Sequence, residues 1–327
     1  MTVFSELRMR PATAERWGWD ASTTARLVMA GVVIFTLLVG ANLATPLYPL
    51  LQDKLGITAL GVTVAFSAYV LALVATLILA GHWSDHIGRR AALVLAVLVG
   101  LAGGSVFATA DSLFALCVGR ALQGIAVALA TGASSAALRE LLPSRPEWAS
   151  RFTLLASAGG VAAGPAIGGV LSLLPGPTST PYYLHSLVLA ALLVPLYLLK
   201  ARPAITSVAG PQPLRVLAPR RPSVSSEARG AFWLASSVGF LSFTVFGFCL
   251  SLAPGYFAQI VHADSRPLIG LLAGLTLGSS ALSQLLAVRG RFVVPIGLGM
   301  LAMSVLLIAL AAAWNSPWLL ILASITA

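Results

Sequence analysis

The chain has 327 residues, of which 58% are apolar and only 9% charged, and its mean hydropathy is +0.93. That is more hydrophobic side chain than a soluble core of this length buries, which excludes a water-soluble globular domain and leaves lipid as the solvent. The net charge of +10 would suit nucleic acid, but the positions of the cations, which sort by side of a membrane, exclude that partner.

The chain opens on "MTVFSELRMRPATAERWGWD", with charges where an export signal needs its apolar stretch, so residues 1–26 are expected to stay in the cytoplasm. Crossing a hydrocarbon layer of about 30 Å takes about 20 apolar helical residues. Runs of that size predict spans at 27–50, 59–81, 91–110, 112–138, 152–174, 182–199, 230–256, 267–288 and 292–313. A tenth run begins at Pro317 and stops at Ala327. The expectation is nine full spans plus part of a tenth, in a chain incomplete at its C-terminal end.

Of the twenty Lys and Arg, only Lys54 and Arg266 fall on the side opposite the N-terminus and Arg120 falls within a span; the other seventeen lie on the N-terminal side. This positive-inside bias predicts a multi-pass inner-membrane protein with a cytoplasmic N-terminus. All seven tryptophans avoid the middle of the spans, as an aromatic belt requires. Six spans precede a polar segment, 201–229, with prolines at 203, 211, 213, 219 and 222. It reads as a cytoplasmic linker between an N-terminal six-helix bundle, 27–200, and a C-terminal bundle, 230–327. Helix-bundle repeats of this kind are common in secondary transporters.

Four stretches interrupt the apolar pattern with chemistry. "GHWSDHIGRR" fills 81–90, between the second and third spans: Gly81 and Gly88 permit a tight reversal, Asp85 can cap or pair at a helix mouth, and Arg89 and Arg90 suit the anionic inner leaflet. "RALQGIAVALATG" starts at Arg120, eight residues into the fourth span and about 12 Å deep at about 1.5 Å per residue. An Arg there costs several kcal/mol unless a partner, water or a cavity compensates, and snorkelling to the outer interface falls short. Gln123 shares its face, and Gly124 follows. "GVAAGPAIGG" places Gly160, Gly164, Gly168 and Gly169 at helical spacing around Pro165, which lets a neighbouring helix approach closely. "GANLATPLYP" places Asn42, Thr45 and Tyr48 about one turn apart in the first span, and a second polar stripe, with Thr276, Ser279, Ser280, Ser283 and Gln284, runs along the eighth. Each hydroxyl taken singly suits interhelical hydrogen bonding; as stripes, both sets are expected to face a substrate path.

The order G-x-x-x-D-x-x-G-R-R in 81–90 resembles the signature between helices two and three of the major facilitator superfamily, with Trp83 in place of its usual Leu and His86 in place of its usual Arg. The stretch from Arg120 is similar to that family's helix-four motif, 160–169 to the helix-five motif of antiporters, and 40–49 to the first helix of drug exporters. The resemblance implies an all-α integral membrane protein with the major facilitator fold: two six-helix bundles related by a pseudo-two-fold axis, the second incomplete here. It implies that Gly81, Asp85, Gly88, Arg89 and Arg90 form an inner gating loop. Arg120, Gln123 and Gly124 take part in coupling, and Asn42, Thr45, Tyr48, Ser279 and Ser283 line the substrate path. The implied activity is export of small amphipathic molecules by alternating access, in exchange for protons, by a monomer in the lipid bilayer. An importer or facilitator of a sugar or other metabolite, and a truncated fragment that does not transport, are the alternatives.

Enzyme chemistry has no support in the sequence. There is no G-x-x-x-x-G-K-[ST] loop, no nucleophile triad and no metal-ligand spacing, so neither a cofactor nor a metal is expected. All ten carboxylates fall in termini, loops or span ends. Proton coupling is therefore expected to use Arg120 with water or substrate, a peripheral acid such as Asp53 or Asp111, His185, or helices that this chain lacks.

Overall fold

The computed structural model describes residues 18–200, 217–219, 224–251, 265–285 and 293–326. Helices dominate: α1 Thr23–Asn42, a 3-10 turn Thr45–Leu47, α2 Tyr48–Leu55, α3 Ala59–Ala80, α4 Trp83–Ile87, α5 Arg89–Ala108, α6 Leu113–Leu141, α7 Pro146–Leu171, α8 Thr180–Leu198, α9 Arg229–Ser251, α10 Arg266–Leu285, α11 Val293–Trp314 and α12 Pro317–Thr326. Among the described residues seven helical segments are long and apolar enough to cross a membrane, with α1 and α2 counted as one. They correspond to the first six expected spans and the ninth; α9 and α10 are the helices of the expected seventh and eighth.

The first expected span is broken. Proline lacks an N–H and its ring collides with the carbonyl four residues back; for Pro46 that residue is Asn42, where α1 ends. The chain turns through the 3-10 segment and resumes as α2, which stops at Gly56 in the left-handed region, φ 63°.

The described residues fall in two compact units, one within Met1–Ala41, Ser67–Gly160 and Ser179–Arg220, the other within Asn42–Phe66, Val161–Thr178 and Arg221–Ala327. In the first unit, α5 packs most closely on α6. A Cβ at Gly103 would lie 3.0 Å from the Gln123 nitrogen, and one at Gly119 would lie 2.9 Å from that of Phe107. Such close backbone contact is how membrane helices associate, because lipid offers no hydrophobic drive between them. The Ser134 hydroxyl, fully buried on α6, donates to the Ala30 carbonyl of α1 at 3.0 Å. In the second unit, the 3-10 turn packs on α10, and Ser304 of α11 donates to the Ala323 carbonyl of α12 at 2.9 Å. Apolar side chains such as Leu71, Ile78 and Leu187 remain exposed, as lipid-facing positions should.

Candidate functional site

Arg120 anchors a buried polar cluster within the first unit. Its side chain is among the largest fully buried, at 2% exposure. One terminal nitrogen donates to the Ala41 carbonyl at 2.5 Å and to Gln123 Oε1 at 2.8 Å. Ala41 is next to last in α1, and a helix cannot satisfy its last four carbonyls internally. The proline break therefore exposes the acceptor that the arginine takes. Gly124 sets the third contact: a Cβ there would collide with the Tyr69 carbonyl of α3. With none, α3 closes in, and the Tyr69 ring lies under the guanidinium, 5.1 Å from centroid to Cζ, a cation–π distance. Sequence reasoning grouped Arg120, Gln123 and Gly124 but missed Ala41 and Tyr69. Pro46 was the available signal for the former.

A second cluster builds on residues 81–90. Asp85 lies in α4, and Gly88, at φ 90°, turns the chain into α5; a side chain at that φ would be strained. The Arg89 guanidinium binds Asp85 at 2.6 Å, Glu140 of α6 at 2.6 Å and the Ser84 hydroxyl at 2.5 Å. Arg89 is thus shared by two carboxylates, one of them 51 residues away. Arg90, which the sequence suggested would lie on lipid headgroups, is instead buried, and donates to the carbonyls of Tyr197 and Leu199 at the C-terminal end of α8. Those carbonyls carry the negative end of the helix dipole, which draws a cation inward. Arg26 works beside it, donating to the Lys200 carbonyl at 2.8 Å. Trp19 and Leu199 pair in a parallel backbone bridge, with Trp19 N–H donating to Leu198 O at 2.6 Å and Lys200 N–H to Trp19 O at 2.9 Å. Trp83 uses its indole N–H to hold the Leu217 carbonyl at 3.0 Å.

Asp85→Asn leaves Arg89 on Glu140 and removes one of its two charges. The variant is expected to slow transport several-fold while equilibrium substrate binding changes by less than about threefold, since exposed pairs are worth about 1 kcal/mol or less. Binding and single-turnover transport, measured on the same liposome preparation, check this. Lost binding with normal turnover of the bound fraction would move Asp85 to the substrate site.

In the second unit, α7 meets α10 at glycines of both helices. A Cβ at Gly169 would lie 2.7 Å from the Arg266 carbonyl, one at Gly274 would lie 2.8 Å from the Ala162 carbonyl, and one at Gly270 would collide with the Pro165 carbonyl. Gly168 faces the Leu43 carbonyl just as closely, and Gly164 and Pro165 are buried. Gly160 lies in the first unit, against Phe35 of α1. Arg266 donates to the Ser172 carbonyl just past α7, at 2.8 Å. Asn42, Thr45 and Tyr48 are all buried. Thr276 and Ser279 donate to the carbonyls of Leu272 and Thr276 in their own helix, at 3.2 and 2.8 Å. The side chains of Ser280, Ser283 and Gln284 lie outside the described residues.

His185 is buried in α8, its ring against Gly40, and its Nε2 lies 2.8 Å from the Thr36 carbonyl. A carbonyl only accepts, so Nε2 carries the proton, and Nδ1 has no hydrogen-bond partner among the described residues. No group of three or more His, Cys, Asp or Glu capable of holding a metal occurs among the described residues.

Helices long and apolar enough to cross a bilayer, several times over, define a multi-pass, all-α membrane protein. The chain belongs to the Major Facilitator Superfamily, whose family model matches residues 30–327. It is similar to the class E tetracycline resistance protein of Escherichia coli, 35% identical over 153 residues, which are 44% of this chain and 36% of that protein. It is also similar to the bacillibactin exporter of Bacillus subtilis (strain 168), 27% identical over 104 residues, 30% of this chain and 26% of that one. The matched segments thus span about a third and a quarter of those relatives. In fold it resembles a bacterial homolog of the human lysosomal transporter Spinster in its inward-facing, unoccupied conformation (TM-score 0.73, 16% identity, 94% of this chain and 73% of that one). The D-xylose-proton symporter also matches (TM-score 0.63, 14% identity, 93% and 80%).

Proposed function

We propose that this transporter exports small amphipathic molecules by alternating access in exchange for protons, as a monomer in the inner membrane. Its N-terminus is cytoplasmic, and segments 27–200 and 230–327 act as two bundles joined by 201–229. The observation that carries the reading is the α7 seam: within the G-x-x-x-G-P-x-x-G-G stretch singled out as antiporter-like, Pro165 and Gly169 pack backbone to backbone on α10. The two relatives support the direction, one being named for tetracycline resistance and the other as an exporter. Arg120 organises the coupling site, and proton carriage falls to other groups, with Asp53, Asp111 and His185 the candidates.

Cells expressing the chain and loaded with ethidium test the export reading. Accumulation is expected to fall, and to be restored by a protonophore; faster uptake would favour an importer, and unchanged accumulation with protein present in the membrane would defeat export of this probe. The same cells test orientation by labelling with an impermeant thiol reagent. Ser265→Cys, in the exposed residue before α10, should label from outside, and Ser223→Cys, which lies outside the described residues, should be protected.

A further inference from the structure

A cavity of about 350 Å³ opens between the end of α6 and the start of α7, within the first unit. Ser135 and Arg139 line it from α6, and Ser150, Thr153, Leu154 and Ser157 from α7. At about 30 Å³ of liquid volume per water, it is far roomier than a single ordered water needs. Its floor is apolar: Ala149 is buried in a cluster with Ala30, Ala137 and Leu138.

Arg139 is exposed and forms no ion pair among the described residues, while its neighbour Glu140 is held by Arg89. A cation in the last turn of α6 suits the helix dipole, which accounts for Arg139 but not for hydroxyls on the facing helix. Ser135 and Thr153 donate to the Thr131 and Ala149 carbonyls of their own helices, at 2.7 and 2.9 Å. The Ser157 hydroxyl has no such bond among the described residues. Beside the cavity, Trp148 and Phe152 are exposed with ring centroids 6.1 Å apart, and the Arg151 guanidinium lies 5.3 Å over the Trp148 ring. Aromatic rings with cations at a span end mark the headgroup level of a bilayer.

We infer that this cavity binds the phosphate headgroup of an anionic phospholipid, with Arg139 as the charged contact, Ser157 as a donor, and the acyl chains lying against the apolar face beside Leu154. Basic pockets between membrane helices on the cytoplasmic side recognise such headgroups. The leaflet assigned, the inner one, rests on the proposed orientation, whereas the chemistry of the site and its test are independent of transport and direction.

The test titrates the full chain in detergent with dioctanoyl phosphatidylglycerol and, separately, with dioctanoyl phosphatidylcholine, by calorimetry. Phosphatidylglycerol is expected to bind about tenfold more tightly, the scale of one charge-assisted hydrogen bond. Arg139→Gln should abolish that preference, and Arg139→Lys should restore part of it. Arg145→Gln, a cation outside the cavity, should retain it. If Arg139→Gln loses helicity, Ser157→Leu, which fills the cavity without touching its charge, serves in its place and should weaken binding as much. Equal affinity for the two lipids, or an unchanged preference in Arg139→Gln, overturns the inference. Inorganic phosphate displacing the lipid at equal concentration would show that the ligand is a free anion and overturn the lipid assignment.

Discussion

Arg120→Gln should abolish proton-driven uphill export, with initial rates in liposomes falling at least about a hundredfold. The arginine's bonds to the Ala41 carbonyl and Gln123 involve a charged donor, and each such bond is worth about 1.5–3 kcal/mol, where about 1.4 kcal/mol is a tenfold change. Removing the donor also takes the arginine from the Ala41 carbonyl at the end of α1. Arg120→Lys keeps the charge but presents a point donor in place of a planar fork. It is expected to reach one acceptor at most, to lose uphill transport as well, and to keep more of the downhill exchange. Parallel measurement with and without a pH gradient separates coupling from substrate handling. Should Arg120→Gln pump as well as the parent under a proton gradient, the arginine is a packing group and the coupling assignment falls.

Gly270→Val should eliminate transport, and Gly270→Ala should reduce it about tenfold, because even one methyl group at this position meets the Pro165 carbonyl and, at 3.3 Å, the Gly169 Cα. The obstacle is backbone rather than a flexible side chain, so α7 and α10 must separate. Overpacking of this kind costs about 1–3 kcal/mol, read as a lower melting temperature in detergent. Gly278, on the same helix, has no heavy atom of the described residues within 4 Å of where its Cβ would lie, and Gly278→Ala should leave rate and melting temperature unchanged. If both alanine variants behave alike, the α7 seam does not govern movement of these helices.

The sequence revealed more of the helices than of their partners. A lone arginine among apolar residues announces itself, since its cost in lipid demands an explanation. Besides Gln123, its acceptor is the Ala41 backbone carbonyl, which no residue letter encodes and which becomes available because Pro46 ends α1 at Asn42. Glu140 was equally hidden: 51 residues from Arg89 and at a span end, it reads as one more surface charge until α5 and α6 pack together. Arg90 misled for the opposite reason. A pair of arginines at the inner end of a span is the usual sign of a leaflet anchor, yet the carbonyls ending α8 compete with lipid phosphate and take one of the pair inward. The seam glycines were legible as a close-packing stripe, but their spacing does not say which helix fills it.

The bonds from Arg90 to Leu199 and from Trp83 to Leu217 make residues 83–90 a clasp on the chain that leaves α8. Two points eighteen residues apart in the sequence, 199 and 217, are fastened within one eight-residue stretch, so a pull arriving at Leu217 is delivered to the indole of Trp83.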